Sequence, residues 1–436
     1  MRRYHRMNPV RRVAASASLL LAMIAVACSS DDETASTAGS TDPAAATVPA
    51  TDTAATTAAP TTLAPAPTDA TDATDAPGRL LPPAGSEALP AATGDVLQAA
   101  IDDWVAAGHL SGITAAVITP DGTWTGAAGF DAAGSTLTAD AAMSIMSISK
   151  TFTAAEILSL AAEGLVDLDA PLTDYVDLPF DTGGATVRQA LAMRTGFPST
   201  SAADDQALMV TDLGRIWTPA EWMAAIPADA ERLGELGGTA PRYNSLNYQV
   251  LALVVEAVTG TSFAAAVRTD LIEPAGLDRM WVQPEEEPLA PLTVGAPTPW
   301  ADITDPDGPY LPSAAFASRS VGGGSMAGDA LDLARWGYEL YGGYVLDRGV
   351  VDEMWADPLE EPNIGPYGLG VLVYEDADGV FLGHAGGGTD WPYTGALHVW
   401  IGDDPIAIAL LTPQPADFGT DIFEVFMQLH DLGTAV

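Results

Sequence analysis

Lysine is all but missing from this chain. Its 436 residues carry 17 side chains of the lysine and arginine kind, and every one except Lys150 is arginine. Cysteine is as scarce: Cys28 stands alone, so the chain can form no internal disulfide. Positive charge as a class is outnumbered by 58 acidic residues, for a formal net charge of −41. A field of that sign repels nucleic acid and bare anionic membrane surfaces, which excludes a nucleic-acid role. Histidine is sparse and scattered, at His5, His109, His384, His398 and His430, without metal-ligand spacing. No metal and no cofactor is expected. No internal repeat of solenoid length is present either.

What is there begins with a leader. Residues 1–27 read as an export signal: Arg2, Arg3, Arg6, Arg11 and Arg12 precede the apolar run Val13 to Ala27. Fifteen residues are short for a membrane-spanning helix, which needs about 20. The run closes at Ala25-Val26-Ala27 against Cys28, which resembles a bacterial lipoprotein signal whose cysteine becomes the lipidated first residue. Ordinary cleavage after Ala27, releasing a free secreted protein, is the alternative. Residues 28–88 are dominated by Ala, Thr, Pro and Asp and lack the apolar side chains to offset their ordering entropy. They read as a disordered tether. A folded domain is expected over 89–436, outside the cytoplasm, monomeric, and touching the membrane through the lipid anchor only.

Within that domain, apolar spacing predicts a helix over Asp95 to Ala107. Strands over Gly112 to Thr119 and Thr123 to Phe130 follow, joined by an Asp121-Gly122 turn. Helices are expected from Ser147 to about Glu163, and over Thr186 to Met193, Asn247 to Val258, Ala330 to Leu340 and Phe423 to Leu432. Strands are expected over Tyr367 to Tyr374, Val380 to Gly383, Gly395 to Ile401 and Pro405 to Leu411. Strands at both ends with helices between predict one sheet built from the two termini, in an α/β sandwich carrying an inserted α-helical lobe.

Lys150 closes the tetrapeptide Ser147-Ile148-Ser149-Lys150. On a helix, positions i and i+3 share a face, so the hydroxyl and the amine would meet. Arginine keeps its proton in a protein, whereas a partly buried lysine can lose it and then activate a serine nucleophile. The apolar neighbours Ile145, Met146, Ile148 and Phe152 disfavour a solvated lysine here.

Further along stand Tyr243-Asn244-Ser245 and His384-Ala385-Gly386. In this order and spacing the three segments resemble the S-x-x-K, Y-x-N and K-T-G or H-x-G motifs of the serine β-lactamase and D-alanyl-D-alanine carboxypeptidase superfamily, in its class C-like branch with related esterases. The resemblance covers essentially the whole folded domain. Flanking segments such as Leu165 to Leu172 and Gly322-Gly323-Gly324-Ser325-Met326 share it. It implies a β-lactamase/penicillin-binding-protein-like fold, an antiparallel sheet flanked by helices. It also implies Ser147 as nucleophile, Lys150 and Tyr243 as the proton-transfer pair with the acylation base open between them, and the amides of Ser147 and Gly387 as oxyanion donors. Ser245, Asn244, His384, Gly386 and Gly387 would face the substrate.

Two positions differ from the family pattern. Ser245 stands where asparagine is usual, and a hydroxyl cannot make the two-handed contact of a carboxamide. Ala385 replaces a threonine or serine that helps hold a substrate carboxylate. Histidine at 384, in place of lysine, is expected to be partly charged at neutral pH and to hold a carboxylate weakly. The resulting expectation is an exported serine hydrolase acting through an acyl-enzyme on a small-molecule or peptide substrate. D-Ala-D-Ala carboxypeptidase action on peptidoglycan stem peptides leads, with an esterase or class C-like β-lactamase as the alternative. The non-enzymatic alternative is a silent penicillin- or wall-fragment-binding sensor.

Overall fold

The computed structural model describes residues 78–198, 207–227, 230–235, 240–298, 302–375 and 377–435. The export signal, Cys28 and most of the tether lie outside them. An eight-stranded antiparallel sheet organises the rest. Its strands are β1 (Gly112–Thr119), β2 (Gly122–Gly129), β6 (Leu359–Glu361), β7 (Gly365–Tyr367), β8 (Leu372–Glu375), β9 (Val380–Gly386), β10 (Thr394–Ile401) and β11 (Ile406–Thr412), in the order β2-β1-β11-β10-β9-β8-β7-β6. The first hairpin pairs with the last strand, Thr114 opposite Leu411 and Ile118 opposite Ala407, so the two ends of the domain share one sheet, as the strand pattern predicts.

Every residue of β1 and of β11 is buried, because helices cover both faces of the sheet. On one face Ile113, Ala115 and Val117 of β1 and Ile408 and Leu410 of β11 form a core with helices α1 (Ala91–Ala106) and α5 (Phe423–Gly433). The alternate residues Ala116, Ile118, Ala407, Ala409 and Leu411 belong to the larger core, which holds helices α2 (Ser149–Ala162), α3 (Leu246–Thr259) and α4 (Ala330–Tyr341). Helix α4 lies against β1, β10 and β11. From there Trp336 stacks on Phe152 with ring centroids 3.9 Å apart and donates its indole N–H to Thr151 Oγ1 at 2.8 Å. The helix that follows Ser147 is thereby pinned to the sheet layer. A second, three-stranded sheet of β3 (Met143–Ser144), β4 (Trp281–Val282) and β5 (Met326–Gly328), in the order β3-β5-β4, fixes the approach to Ser147.

Two expectations are corrected. The tether ends earlier than residue 88: Leu80 N–H donates to Gly342 O, Gly85 N–H to Thr119 O and Leu89 N–H to Thr123 O, while Leu81 is buried. Leu80 and Leu81 supply apolar area that the preceding Ala/Thr/Pro/Asp text lacks. The stretch Tyr367 to Tyr374 is two strands, β7 and β8, joined by a tight turn in which Gly368 N–H donates to Val371 O at 2.8 Å.

Candidate active site

Ser147 lies not inside a helix but in a 3-10 turn, Met146–Ile148, leading directly into α2. Met146 takes φ +50°, a left-handed conformation that costs a non-glycine residue roughly 1–2 kcal/mol. The turn is held from several sides. Ile145 N–H donates to Met326 O at 3.0 Å, Ser149 Oγ donates to Met146 O at 2.7 Å, and Ser149 Oγ accepts from Met326 N–H at 3.1 Å. Its neighbours from Ala141 to Met146 and from Ile148 to Lys150 are buried, whereas Ser147 is part-exposed and reaches a cavity. A strained turn that presents one hydroxyl fits a nucleophile.

Lys150 is fully buried. Its Nζ lies 2.9 Å from Ser147 Oγ and donates to Gly323 O at 2.6 Å. Desolvation pushes its pKa down to about 7, since burial penalises the ammonium. With the amine neutral, the 2.9 Å contact can run the other way, the Ser147 O–H donating to the Nζ lone pair. The aromatic faces beside it are those of Tyr243, with Nζ 5.0 Å from the ring centroid, and Tyr248, at 5.8 Å. The structure thus brings Ser147, Lys150 and Tyr243 together. Tyr243 is positioned from an unexpected quarter: its backbone N–H donates at 3.2 Å to Glu361 on β6, a fully buried carboxylate that also takes the Asn363 and Ile364 N–H groups.

His384 is where expectation and structure part. It lies on β9, buried, with Nδ1 against Ala385 O and Nε2 3.2 Å from the Tyr367 hydroxyl. A neutral ring suits both, Nδ1–H donating to the carbonyl and Nε2 sharing the Tyr367 hydroxyl with the Tyr248 oxygen 3.3 Å away, to which that hydroxyl donates. Desolvation, and next the nearby Lys150 amine, push its pKa down to about 3. It is uncharged at neutral pH rather than partly charged, so it offers a substrate carboxylate no ionic grip. Burial, which sequence spacing does not report, is the reason.

Strand β9 closes on the nucleophile turn at Gly386, where an added Cβ would lie 2.4 Å from Ile145 O. Gly387 follows at φ +81°. Among the described residues neither the Ser147 nor the Gly387 amide donates to a protein acceptor. Two unspent N–H groups flanking a serine hydroxyl can stabilise an oxyanion. Ser245 lines the cavity at the start of α3. Asn244 lines it too, but its carboxamide is committed to the fold, donating to Phe197 O and Pro198 O and accepting from Leu246 N–H. Of the two, Ser245 is the one whose side chain makes no hydrogen bond to the fold among the described residues.

The buried Glu361 and Tyr367 beneath His384 carried no sequence signal of their own, and Gly323, which lies in a segment sharing the family resemblance, was not expected to hold Lys150 through its carbonyl. A buried lysine demands an acceptor, but the acceptor here is 173 residues away. Phe316, Trp391 and Arg319 complete the mouth of the cavity, the Arg319 guanidinium 3.6 Å from the Trp222 ring centroid. Among the described residues no group of three or more His, Cys, Asp or Glu side chains is placed to hold a metal ion.

A family model described as Beta-lactamase matches residues 97–422. The D-amino acid amidase from Ochrobactrum anthropi SV3, in complex with L-phenylalanine amide, is similar over 79% of this chain and 99% of its own, at 22% identity and a TM-score of 0.64. The D-stereospecific amidohydrolase from Streptomyces sp. aligns over 76% of this chain and 97% of its own, at 25% identity and a TM-score of 0.61. The octameric penicillin-binding protein homologue from Pyrococcus abyssi aligns over 78% and 77%, at 23% identity and a TM-score of 0.63. No curated protein matches the chain at a significant level.

Proposed function

Because the chain belongs to the beta-lactamase family, we propose that it is a serine hydrolase that forms an acyl-enzyme at Ser147 on esters or amides uncharged beside the scissile bond. One observation carries the reading: a lone lysine, fully buried, with its amine 2.9 Å from Ser147 Oγ. In the proposed reaction the neutral amine takes the serine proton as Oγ attacks the carbonyl carbon. The amides of Ser147 and Gly387 hold the oxyanion, and Lys150 or Tyr243 returns a proton to the leaving oxygen or nitrogen. Water then repeats the attack on the acyl group and frees Ser147.

The substrate class follows from β9. A neutral His384 and a hydroxyl-free Ala385 give that strand neither charge nor hydroxyl with which to hold a carboxylate. Two of the similar structures are named as amidases or amidohydrolases, and an amide end, unlike a free D-Ala terminus, is uncharged. The test pairs one D-Ala-D-Ala peptide with its C-terminal amide and adds a p-nitrophenyl ester and a chromogenic cephalosporin. The amidated peptide is expected to exceed the free acid at least tenfold in kcat/KM. The reverse order would hand the protein to the carboxypeptidase reading. No label on Ser147 from a fluorophosphonate would hand it to the non-catalytic sensor.

The export signal and an anchor at Cys28 are proposed on residues 1–28 alone. Among the described residues no single helix is long and apolar enough to cross a membrane. Cys28→Ser is expected to move the protein from the membrane fraction to the medium, and unchanged retention would refute lipidation.

A further inference from the structure

The cavity that opens at Ser147 does not stop at the oxyanion amides. It continues past Ala385 into an apolar annex between the sheet and helix α5, lined among others by Phe381, Ala396, His398, Phe426 and Met427. The strand register explains why the two halves differ. Ala385 stands opposite Ala396, Gly383 opposite His398 and Phe381 opposite Trp400. Strand alternation therefore sends these side chains to the face opposite His384 and Gly386. One face of β9 serves the catalytic lysine and the other faces the annex, whose whole volume together with the cleft is about 280 Å³.

His398 is the exception in an apolar wall. It is buried to 6% exposure, its ring sits 5.3 Å from Phe426 and 6.3 Å from Tyr374, and its Nε2 has no hydrogen-bond partner. Burial holds its pKa down at about 4, so the ring is neutral at working pH. A buried polar nitrogen without a partner is costly, and in native structures it asks for an explanation. The residue lines a cavity continuous with Ser147, while Nε2 itself is closed off from it.

We propose that the annex receives an uncharged apolar substituent of the substrate, alkyl or aryl, carried beside the scissile bond. A charged group would be desolvated there with no opposite charge among the annex residues named. The proposal rests on the hydrolase reading and names the substrate chemistry of the same site. The substituent belongs either to the acyl part or to the leaving group, and the experiment separates these sources.

One arm varies the acyl chain of p-nitrophenyl esters from acetate to hexanoate. The other varies the alcohol of n-alkyl acetates from methyl to hexyl, followed by pH-stat. A buried methylene is worth about fourfold, so kcat/KM is expected to rise at least tenfold along one arm, which identifies the side. Ala396→Leu, which fills the annex, and Met427→Trp, at its half-exposed rim, are each expected to cut that long-to-short ratio at least fivefold. Two flat arms with Ser147 still labelled by a fluorophosphonate would overturn the annex alone, as would a rising arm indifferent to both filling variants. Unlabelled Ser147 would overturn the hydrolase reading and the annex with it.

Discussion

Replacing Lys150 with arginine is expected to slow acylation of Ser147 at least a hundredfold, and replacing it with alanine about as much. The two variants fail for different reasons. Alanine removes the proton acceptor, and positioned general bases contribute typically about 10²–10⁴. Arginine keeps a cation near Ser147 but cannot give up its proton. In the parent, the burst rate with a p-nitrophenyl ester is expected to rise as pH passes through about 7, where Nζ is freed, and then to level. His384, with its pKa held down near 3, adds no transition in that range. A Lys150→Arg burst rate within tenfold of the parent would remove the amine from proton transfer. Stability gives an independent reading. A lysine whose folded-state pKa is lowered destabilises the fold below that pKa, and the penalty fades as pH climbs toward the ordinary 10.5. The full penalty is on the order of 5 kcal/mol. Lys150→Met is thus expected to be inactive yet to melt higher than the parent at pH 6, by a margin that shrinks toward pH 10. Destabilisation at pH 6 would mean that the hydrogen bond to Gly323 O outweighs the buried charge.

Much of this was legible in the residues, for identifiable reasons. The run Gly112 to Thr119 matches β1 residue for residue, since a two-residue turn fixes the hairpin and the sheet buries both faces; the turn is Pro120-Asp121, one residue earlier than the expected Asp121-Gly122. The run Tyr367 to Tyr374 misled because Tyr367 and Leu372 pair across a turn that itself carries the apolar Leu369 and Val371, and apolar content alone does not show where a chain reverses. Short helices such as Ala314–Arg319, which supplies Phe316 and Arg319 to the cavity, are too brief for periodicity to register. In the site, Ser147, Lys150 and Tyr243 could be named because their types carry the chemistry. Their environment could not be. That His384 is neutral, that Asn244 spends its carboxamide on Phe197 and Pro198, and that Glu361 holds the Tyr243 amide all depend on neighbours distant in the chain. His398 read as one more scattered histidine, and only the register of β9 on β10 places it beside the substrate path.

Gly387→Ala is expected to lower kcat at least a hundredfold while moving the melting temperature by only a few degrees. Gly387 sits at φ +81°, where L side chains are strained, and an added Cβ would lie 1.9 Å from Tyr393 O. One of the two must give way. Tyr393 is anchored: its ring is buried, its hydroxyl donates to Thr293 O at 2.6 Å, and the next residue, Thr394, is paired on β10. The mobile partner is the Gly387 segment, which has already left the strand ladder at Gly386. Displacing it swings the Gly387 N–H away from the point where charge develops, and loss of one oxyanion donor costs about 10²–10³ in kcat. Because that charge is absent from the ground state, KM is expected to change far less than kcat. Gly386→Ala supplies the contrast. There the added carbon would meet Ile145 O at 2.4 Å and push on the nucleophile turn itself, so fluorophosphonate labelling of Ser147 should fall together with turnover. A Gly387→Ala enzyme with parental kcat would show that the oxyanion is held elsewhere.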